Sequence, residues 1–312
     1  MSRRALPGPW DLTPFAVVDG GLSTVLEELG ETPSGLLWTA GTLLDRPHVV
    51  AAAHRTFVEA GADVVISASY QASVPGLVAA GLSVADARAV LTRTTDLARS
   101  SGARWVAASV GPYGAFLADG SEYRGDYVDD RAGSSGAATW DAIRRFHRER
   151  LEVLVDSGPD LFAIETIPLA AEAEIVVEEL RRLTSLPAWL TFSCRDGSTT
   201  CGGDRLLDAA LRVADGVDAV GLNCTAPHHV EPALEHLAAA GRPLVAYPNH
   251  GASWDAEHKC WIGPTGGREI ASMAARWSEL GARLIGGCCG VGSSGVAALA
   301  AERRRLAGGA SS

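Results

Sequence analysis

The sequence predicts an α/β protein, a single (β/α)8 TIM barrel, and three observations carry that expectation. Eight short apolar runs recur along the 312 residues: FAVVD, DVVISAS, RWVAASV, DLFAIET, PAWLTFS, DAVGLNC, PLVAYP and ARLIGGCC. Between them lie stretches of helical period, among them PHVVAAAHRTFVEAG, VADARAVLTRTTDLARSSG, WDAIRRFHRERLEVLVDSG and REIASMAARWSELG. The runs are apolar almost throughout rather than alternating, as parallel strands covered on their outer face require. Such a barrel takes about 250 residues, so the chain is long enough for one. A doubly wound open sheet is the alternative reading of the same alternation.

Taken in order, each run closes on polar or glycine residues. The first ends in Asp19-Gly20-Gly21 and the second in Ser69-Tyr70-Gln71. The third, closing on Gly111-Pro112-Tyr113, leads into the longest insertion, Gly111 to about Thr139, rich in Gly, Asp and Tyr and expected to cover the barrel mouth. The fourth ends in Glu165-Thr166. After the fifth, no motif is recognisable between Cys194 and Arg205. The sixth ends in Asn223-Cys224, the seventh in Tyr247-Pro248-Asn249 and the eighth in Cys288-Cys289. Gly61, Gly102, Gly158, Gly241 and Gly281 stand where helices would end, as the residue that best tolerates the left-handed C′ position. No Pro/Ser-rich linker divides the chain, so residues 1–312 read as one domain, with about 1–10 and 308–312 flexible.

Hydrophobic residues make up 47% and charged residues 21%, which suits a protein with a sizeable core. A net charge of −10, with no basic cluster beyond Arg303 to Arg305, argues against a nucleic-acid partner. No stretch is long and apolar enough for a secretory signal or a membrane span, which leads to an expectation of a cytoplasmic protein. Six cysteines are too few for a disulfide framework in a chain this long; they read as thiols available to metal or catalysis.

In a barrel of this kind chemistry collects at the C-terminal ends of the strands. Cys224 ends the sixth run, and Cys288 and Cys289 end the eighth, 64 residues further on, behind Gly286 and Gly287. Three thiols at that edge suit a Zn2+ site with one coordination position open. The two glycines would let the backbone turn both neighbouring sulfurs inward. Read blandly, Cys224 is a small core hydrophobe and the tandem pair a packing accident. Cys194, Cys201 and Cys260 fall outside this trio and read as free thiols in or near loops. The histidines are scattered, with no HExxH spacing, and no phosphate-binding fingerprint follows the first strand.

Asp19 and Glu165 are the acidic residues most directly at the rim. Two carboxylates could act as acid and base in glycoside cleavage. Beside a thiolate site, a pair of acceptors for a substrate ammonium is the more economical role. Alternatively, Asp19 caps the helix starting near Ser23 and Glu165 bonds neighbouring backbone. Tyr70, Tyr113, Tyr247 and Trp38 offer aromatic faces to a cation such as a sulfonium, although each alone also reads as packing. Asn223 lies at the same rim beside Cys224.

With these residues in view, the chain resembles the homocysteine S-methyltransferase family, and within it the enzymes that use S-methylmethionine or S-adenosylmethionine. The resemblance is carried by VDGGLST, SASYQAS, SVGPYGAFLADGSEYRGDY, ETIP, GLNCTAP, YPNHG and RLIGGCC, and runs nearly end to end. It implies a zinc-dependent (β/α)8 barrel with Cys224, Cys288 and Cys289 as metal ligands. Asp19 and Glu165 would bind the homocysteine amino group, assisted by backbone near Gly20 and Gly21. Trp38 and Tyr70 match positions that face the methyl donor in betaine-using relatives, and Tyr113 and Asn223 complete the expected substrate-lining set. The implied partners are homocysteine and a sulfonium donor. The chain stops soon after its last helix, without the extension of the betaine enzymes, so a monomer or small homo-oligomer is expected. The rival readings are a betaine or selenocysteine variant of the reaction, a zinc-dependent barrel hydrolase, and a non-catalytic metal-binding barrel.

Overall fold

The computed structural model describes residues 8–31, 39–128, 138–251, 253–255, 260–262 and 267–309. All eight apolar runs form strands of one parallel sheet: β1 (Ala16–Val17), β2 (Val64–Ile66), β3 (Trp105–Val110), β4 (Leu161–Ile167), β5 (Ala188–Phe192), β6 (Ala219–Asn223), β7 (Leu244–Tyr247) and, after a hairpin of β8 (Ser253–Asp255) with β9 (Cys260–Ile262), β10 (Ala282–Ile285). The hairpin was not expected from the sequence. Strand order is β1-β10-β7-β6-β5-β4-β3-β2, and each neighbouring pair is parallel. A parallel bridge between Val18 and Val64 joins the two ends, with the Asp63 amide donating to the Val17 carbonyl at 2.8 Å and the Asp19 amide to the Val64 carbonyl at 3.0 Å. The sheet is therefore a barrel, and the open-sheet alternative falls away.

Three aspartates at strand starts tie the barrel's N-terminal face together. Asp63 accepts the Val17 amide at 2.8 Å, Asp160 the Val106 amide at 2.8 Å and Asp218 the Ala188 amide at 2.9 Å. Each carboxylate is also paired with an arginine from an outer helix: Arg303, Arg99 and Arg181 respectively. Charge-assisted bonds of this sort fix strand stagger without using the C-terminal face, which stays free for chemistry.

Inside the barrel, Val18, Val64, Ala107, Leu161, Ala163, Trp189, Ala219, Val245 and Leu284 pack together. Trp10 belongs to the same cluster and is buried, so the expected flexible start does not reach residues 8–10. Residues 1–7 and 310–312 of that expectation lie outside the described residues, while the last helix, Ser293–Gly309, covers 308 and 309. A second cluster fills the layer between strands and outer helices. The five glycines expected to end helices all take positive φ; Gly61, at 106°, closes the helix Pro47–Ala60.

Candidate active site

Cys224 directly follows β6, and its amide donates to the Tyr247 carbonyl of β7 at 3.1 Å. Past β10, the Gly287 amide donates to the Asp19 carbonyl at 3.0 Å and the Cys288 amide to the Pro248 carbonyl at 2.8 Å. The Cys289 carbonyl accepts the His250 amide at 3.0 Å. The two glycines before the pair serve close approach rather than the expected turn. A Cβ on Gly286 would lie 2.7 Å from that of Val18, and one on Gly287 2.2 Å from Val291 Cγ1. The left-handed residue is Gly290, at φ 76°.

This backbone brings the three sulfurs together. Cys224 Sγ lies 3.5 Å from Cys289 Sγ, Cys288 Sγ lies 4.0 Å from Cys289 Sγ, and all three fall within 4.8 Å of one another. Thiolates around one tetrahedral ion, each at about 2.3 Å, are about 3.8 Å apart, so the spacing fits a single zinc-sized ion. All three are free thiols. Their titrations are joined by the bonds between them. The bond with Cys288 lowers the Cys224 thiol, but its bond with Cys289 and burial raise it, with a net upward shift. Bonds to both neighbours push Cys288 up and draw Cys289 down. Three thiols this close cannot all ionise without a cation among them.

Two non-glycine residues at this rim have positive φ: Thr166 at 62° and Cys224 at 47°. Such backbone costs about 1–3 kcal/mol and collects at functional sites. Asn223, buried between them, holds Thr166 with both ends of its amide. Its Oδ1 accepts the Thr166 amide at 2.7 Å, and its Nδ2 donates to Thr166 Oγ1 at 2.8 Å. Oδ1 also accepts from Thr191 Oγ1 at 2.8 Å. The Asn223 side chain is thus held by internal bonds that position Thr166 beside Cys224, and its Nδ2 lies 3.9 Å from Cys288 Sγ.

Asp19 does not cap the first helix, whose N-cap is Gly21; its Oδ2 instead accepts the Ile66 amide at 2.8 Å, where the barrel closes. Burial raises its pKa well above the usual carboxylate range, the Ile66 bond opposes this, and the charge of Glu165 adds to the rise. Glu165 accepts from the Ser109 hydroxyl, and burial pushes its pKa up to about 7. Two buried carboxyls that sense each other and have no ion-pair partner among the described residues suit a substrate ammonium. Gly20 and Gly21 are packed tightly beneath the cysteine loop. A Cβ on Gly20 would meet the Val291 carbonyl at 2.3 Å, and one on Gly21 the Cys288 carbonyl at 2.7 Å.

The aromatic candidates separate. The Tyr70 hydroxyl is buried among Glu122, Thr166, Cys224 and Glu165; Thr166 is beside it, yet among the described residues no partner meets full hydrogen-bond geometry. Tyr247 is buried, its hydroxyl taken up by Trp189 Nε1 at 3.0 Å and Thr191 Oγ1 at 2.8 Å, so it offers no open face. Tyr113 packs with Phe116, Tyr127 and Phe146 at ring separations of 5.1 to 6.1 Å, and its amide donates to Glu172. It belongs to the aromatic floor of the insertion rather than to the thiol rim. Trp38 and the Cys260 side chain lie outside the described residues.

Sequence reasoning missed Tyr123 and Glu122. Both sit on the turn Ser121–Tyr123 inside the long insertion. The Tyr123 hydroxyl is 3.2 Å from Cys224 Sγ, while 42% of the residue is exposed, so the ring roofs the cluster from the solvent side. Burial, followed by the charge of Cys224, raises its pKa. The quoted motif GSEYRGDY contained both residues, but nothing in its composition said which of them turn inward.

A (β/α)8 barrel with a three-thiol centre at its C-terminal rim defines the class of protein. The family model described as homocysteine S-methyltransferase matches residues 16–303. The chain is 41% identical over 296 residues to Homocysteine S-methyltransferase 1 of Zea mays, covering 88% of this chain and 90% of that one. It is 37% identical over 300 residues to a selenocysteine Se-methyltransferase of Brassica oleracea var. italica, covering 88% and 85%. The crystal structure of the metallated homocysteine methyltransferase MmuM of Escherichia coli superposes with a TM-score of 0.80 at 37% identity, over 93% of this chain and 97% of that one. The chain belongs to the homocysteine S-methyltransferase family. Among the described residues, no helix is long and apolar enough to cross a membrane.

Proposed function

We propose that this protein transfers a methyl group from a sulfonium donor, S-methylmethionine in the first place and S-adenosylmethionine in the second, to the thiol of L-homocysteine, giving methionine. The observation that carries the reading is the convergence of Cys224, Cys288 and Cys289 at single-ion spacing beside the Asp19 and Glu165 carboxyls. Three soft thiolate donors favour Zn2+, and the trio would hold it. When bound, zinc keeps an acceptor thiol, otherwise mostly protonated at neutral pH, in the nucleophilic thiolate form.

The chain's own residues supply the rest. Asp19 and Glu165 take the homocysteine ammonium, whose charge draws both buried carboxyls back to the ionised form. Tyr123 donates toward the Cys224 sulfur and shields the cluster from water. In the transfer, a sulfur lone pair of homocysteine forms the new S–C bond as the donor's S–C bond breaks. That electron pair stays on the departing neutral thioether, so no general acid is needed. Orientation of the two sulfurs in line is the protein's principal contribution. The reaction is performed by the barrel as one domain.

The direct test is methionine formation from homocysteine with S-methylmethionine, S-adenosylmethionine and betaine offered separately. Activity with the sulfonium donors and none with betaine supports the reading; activity with betaine alone overturns the donor assignment. Asp19→Ala and Glu165→Ala should raise the homocysteine KM with zinc retained, and zinc loss would show that their role is structural. A second acceptor, selenocysteine, is favoured by the 37% identity to the Brassica enzyme and belongs in the same assay.

A further inference from the structure

We propose that Glu122 is the receptor for the α-ammonium group of the methyl donor and so selects sulfonium amino acids over donors without that group. The inference rests on the function proposed above. Both substrates of that reaction are α-amino acids, so the site has two ammonium groups to receive and exclude from water. Asp19 and Glu165, which sense each other, account for one.

Glu122 is the acidic residue left over. It is only 8% exposed, and among the described residues its Oε2 has no hydrogen-bond partner. A buried carboxylate oxygen in that state carries the full cost of lost hydration unless a ligand satisfies it. Burial is the first cause that raises its pKa, and the charged groups acting on it are Cys224, Asp119 and Arg124. Arg124 is engaged with Asp126 at 2.9 Å. The Tyr70 hydroxyl, buried close by, feels the charges of Glu122, Cys224 and Glu165. Glu122 and Glu165 each feel the Cys224 sulfur as well, so both acidic positions lie near the thiol cluster, one for each amino acid.

The backbone that carries Glu122 is set before any ligand arrives. Its carbonyl accepts from Ser193 Oγ at 3.1 Å at the end of β5, and the Ser121 amide donates to Asp119 Oδ1 at 2.9 Å. A Cβ on Gly114 would stand 2.7 Å from the Glu122 amide nitrogen, so the turn is packed onto the helix Tyr113–Leu117. A preorganised, unpaired carboxylate loses little on binding a cation.

The test compares the wild type, Glu122→Gln and Glu122→Ala with two donors: S-methylmethionine and a dimethylsulfonium carboxylic acid that lacks the amino group. Methionine formation, homocysteine KM and zinc content are read for each. The wild type should prefer S-methylmethionine by about 10-fold or more, and both variants should lose about 10- to 100-fold in kcat/KM for it, the range of one charged hydrogen bond. Turnover of the des-amino donor, homocysteine KM and zinc content should stay within about two-fold of wild type on the same scale. Equal loss with both donors, a rise in homocysteine KM, loss of zinc, or unchanged S-methylmethionine kinetics each overturns the assignment while leaving the proposed reaction standing. A wild type that forms no methionine with any sulfonium donor overturns the reaction itself and this inference with it.

Discussion

Asn223 grips Thr166 through both ends of its amide, at 2.7 Å and 2.8 Å, and so holds a β-branched residue at a φ of 62° next to Glu165. The same side chain precedes Cys224 and reaches to within 3.9 Å of Cys288 Sγ. One buried amide thus links the three strand ends, of β4, β6 and β10, that carry the Glu165 carboxyl and the thiols.

Replacing Asn223 with alanine orphans the buried Thr166 amide and removes the clamp on a strained residue. A loss of about 2–4 kcal/mol in urea unfolding is expected, together with a homocysteine KM that rises more than kcat falls. Unchanged stability and kinetics would show that Thr166 keeps its conformation unaided.

Gly21 packs against the Cys288 carbonyl without a special backbone angle, its φ being −66°. Gly21→Ala therefore acts by steric displacement alone, driving a Cβ to 2.7 Å from a backbone oxygen. The expected result is a weakening of zinc binding by about 10-fold, in keeping with overpacking costs of about 1–3 kcal/mol. Gly308→Ala, which meets nothing within 4 Å, should leave zinc affinity unchanged. A chelator competition series reads both.

Arg150 is a buried cation beneath the insertion. It donates to the Gly111 carbonyl, to the Tyr70 carbonyl at 3.4 Å and to His147 Nδ1 at 2.9 Å. That bond puts the ring proton on His147 Nε2, which donates to Glu172 Oε1 at 2.8 Å. Burial lowers the His147 pKa, in accord with a neutral ring. Arg150→Met leaves Glu172 without its nearby cation, and a stability loss of about 3–5 kcal/mol is expected in thermal or urea unfolding.

His54 is fully buried, and among the described residues neither ring nitrogen has a hydrogen-bond partner. Burial lowers its pKa from 6.5 to about 4, so the folded protein keeps it neutral while the unfolded chain takes up a proton below 6.5. Its contribution is intact above pH 6.5 and is lost as pH falls toward 4, a change of about 3 kcal/mol at 1.36 kcal/mol per pH unit. His54→Leu should flatten stability between these values; an unaltered slope would place its origin elsewhere.

The barrel was legible because eight apolar runs and five helix-ending glycines are local signals, and local signals survive into the structure. The thiol centre was legible for the same reason: Cys224 and Cys288-Cys289 are uncommon residues at the ends of such runs. What the sequence left undecided depends on side-chain direction. Tyr113, Tyr247 and Asn223 stand at the rim in sequence, but packing turns the first into an aromatic floor and commits the other two to internal bonds. Glu122 and Tyr123 lie in an aperiodic insertion, where no period says which residues face inward. Gly286 and Gly287 showed that glycine was needed, yet close packing and a left-handed turn demand the same residue type.

The central claim is that Cys224, Cys288 and Cys289 hold a zinc ion that retains one position for the acceptor's sulfur. X-ray absorption at the zinc edge, recorded with and without homocysteine, measures this most directly. The account predicts three sulfur neighbours in the free protein and four when homocysteine is present, with zinc absent from Cys288→Ala. A sulfur count that homocysteine leaves unchanged, or full zinc retention by Cys288→Ala, would contradict it.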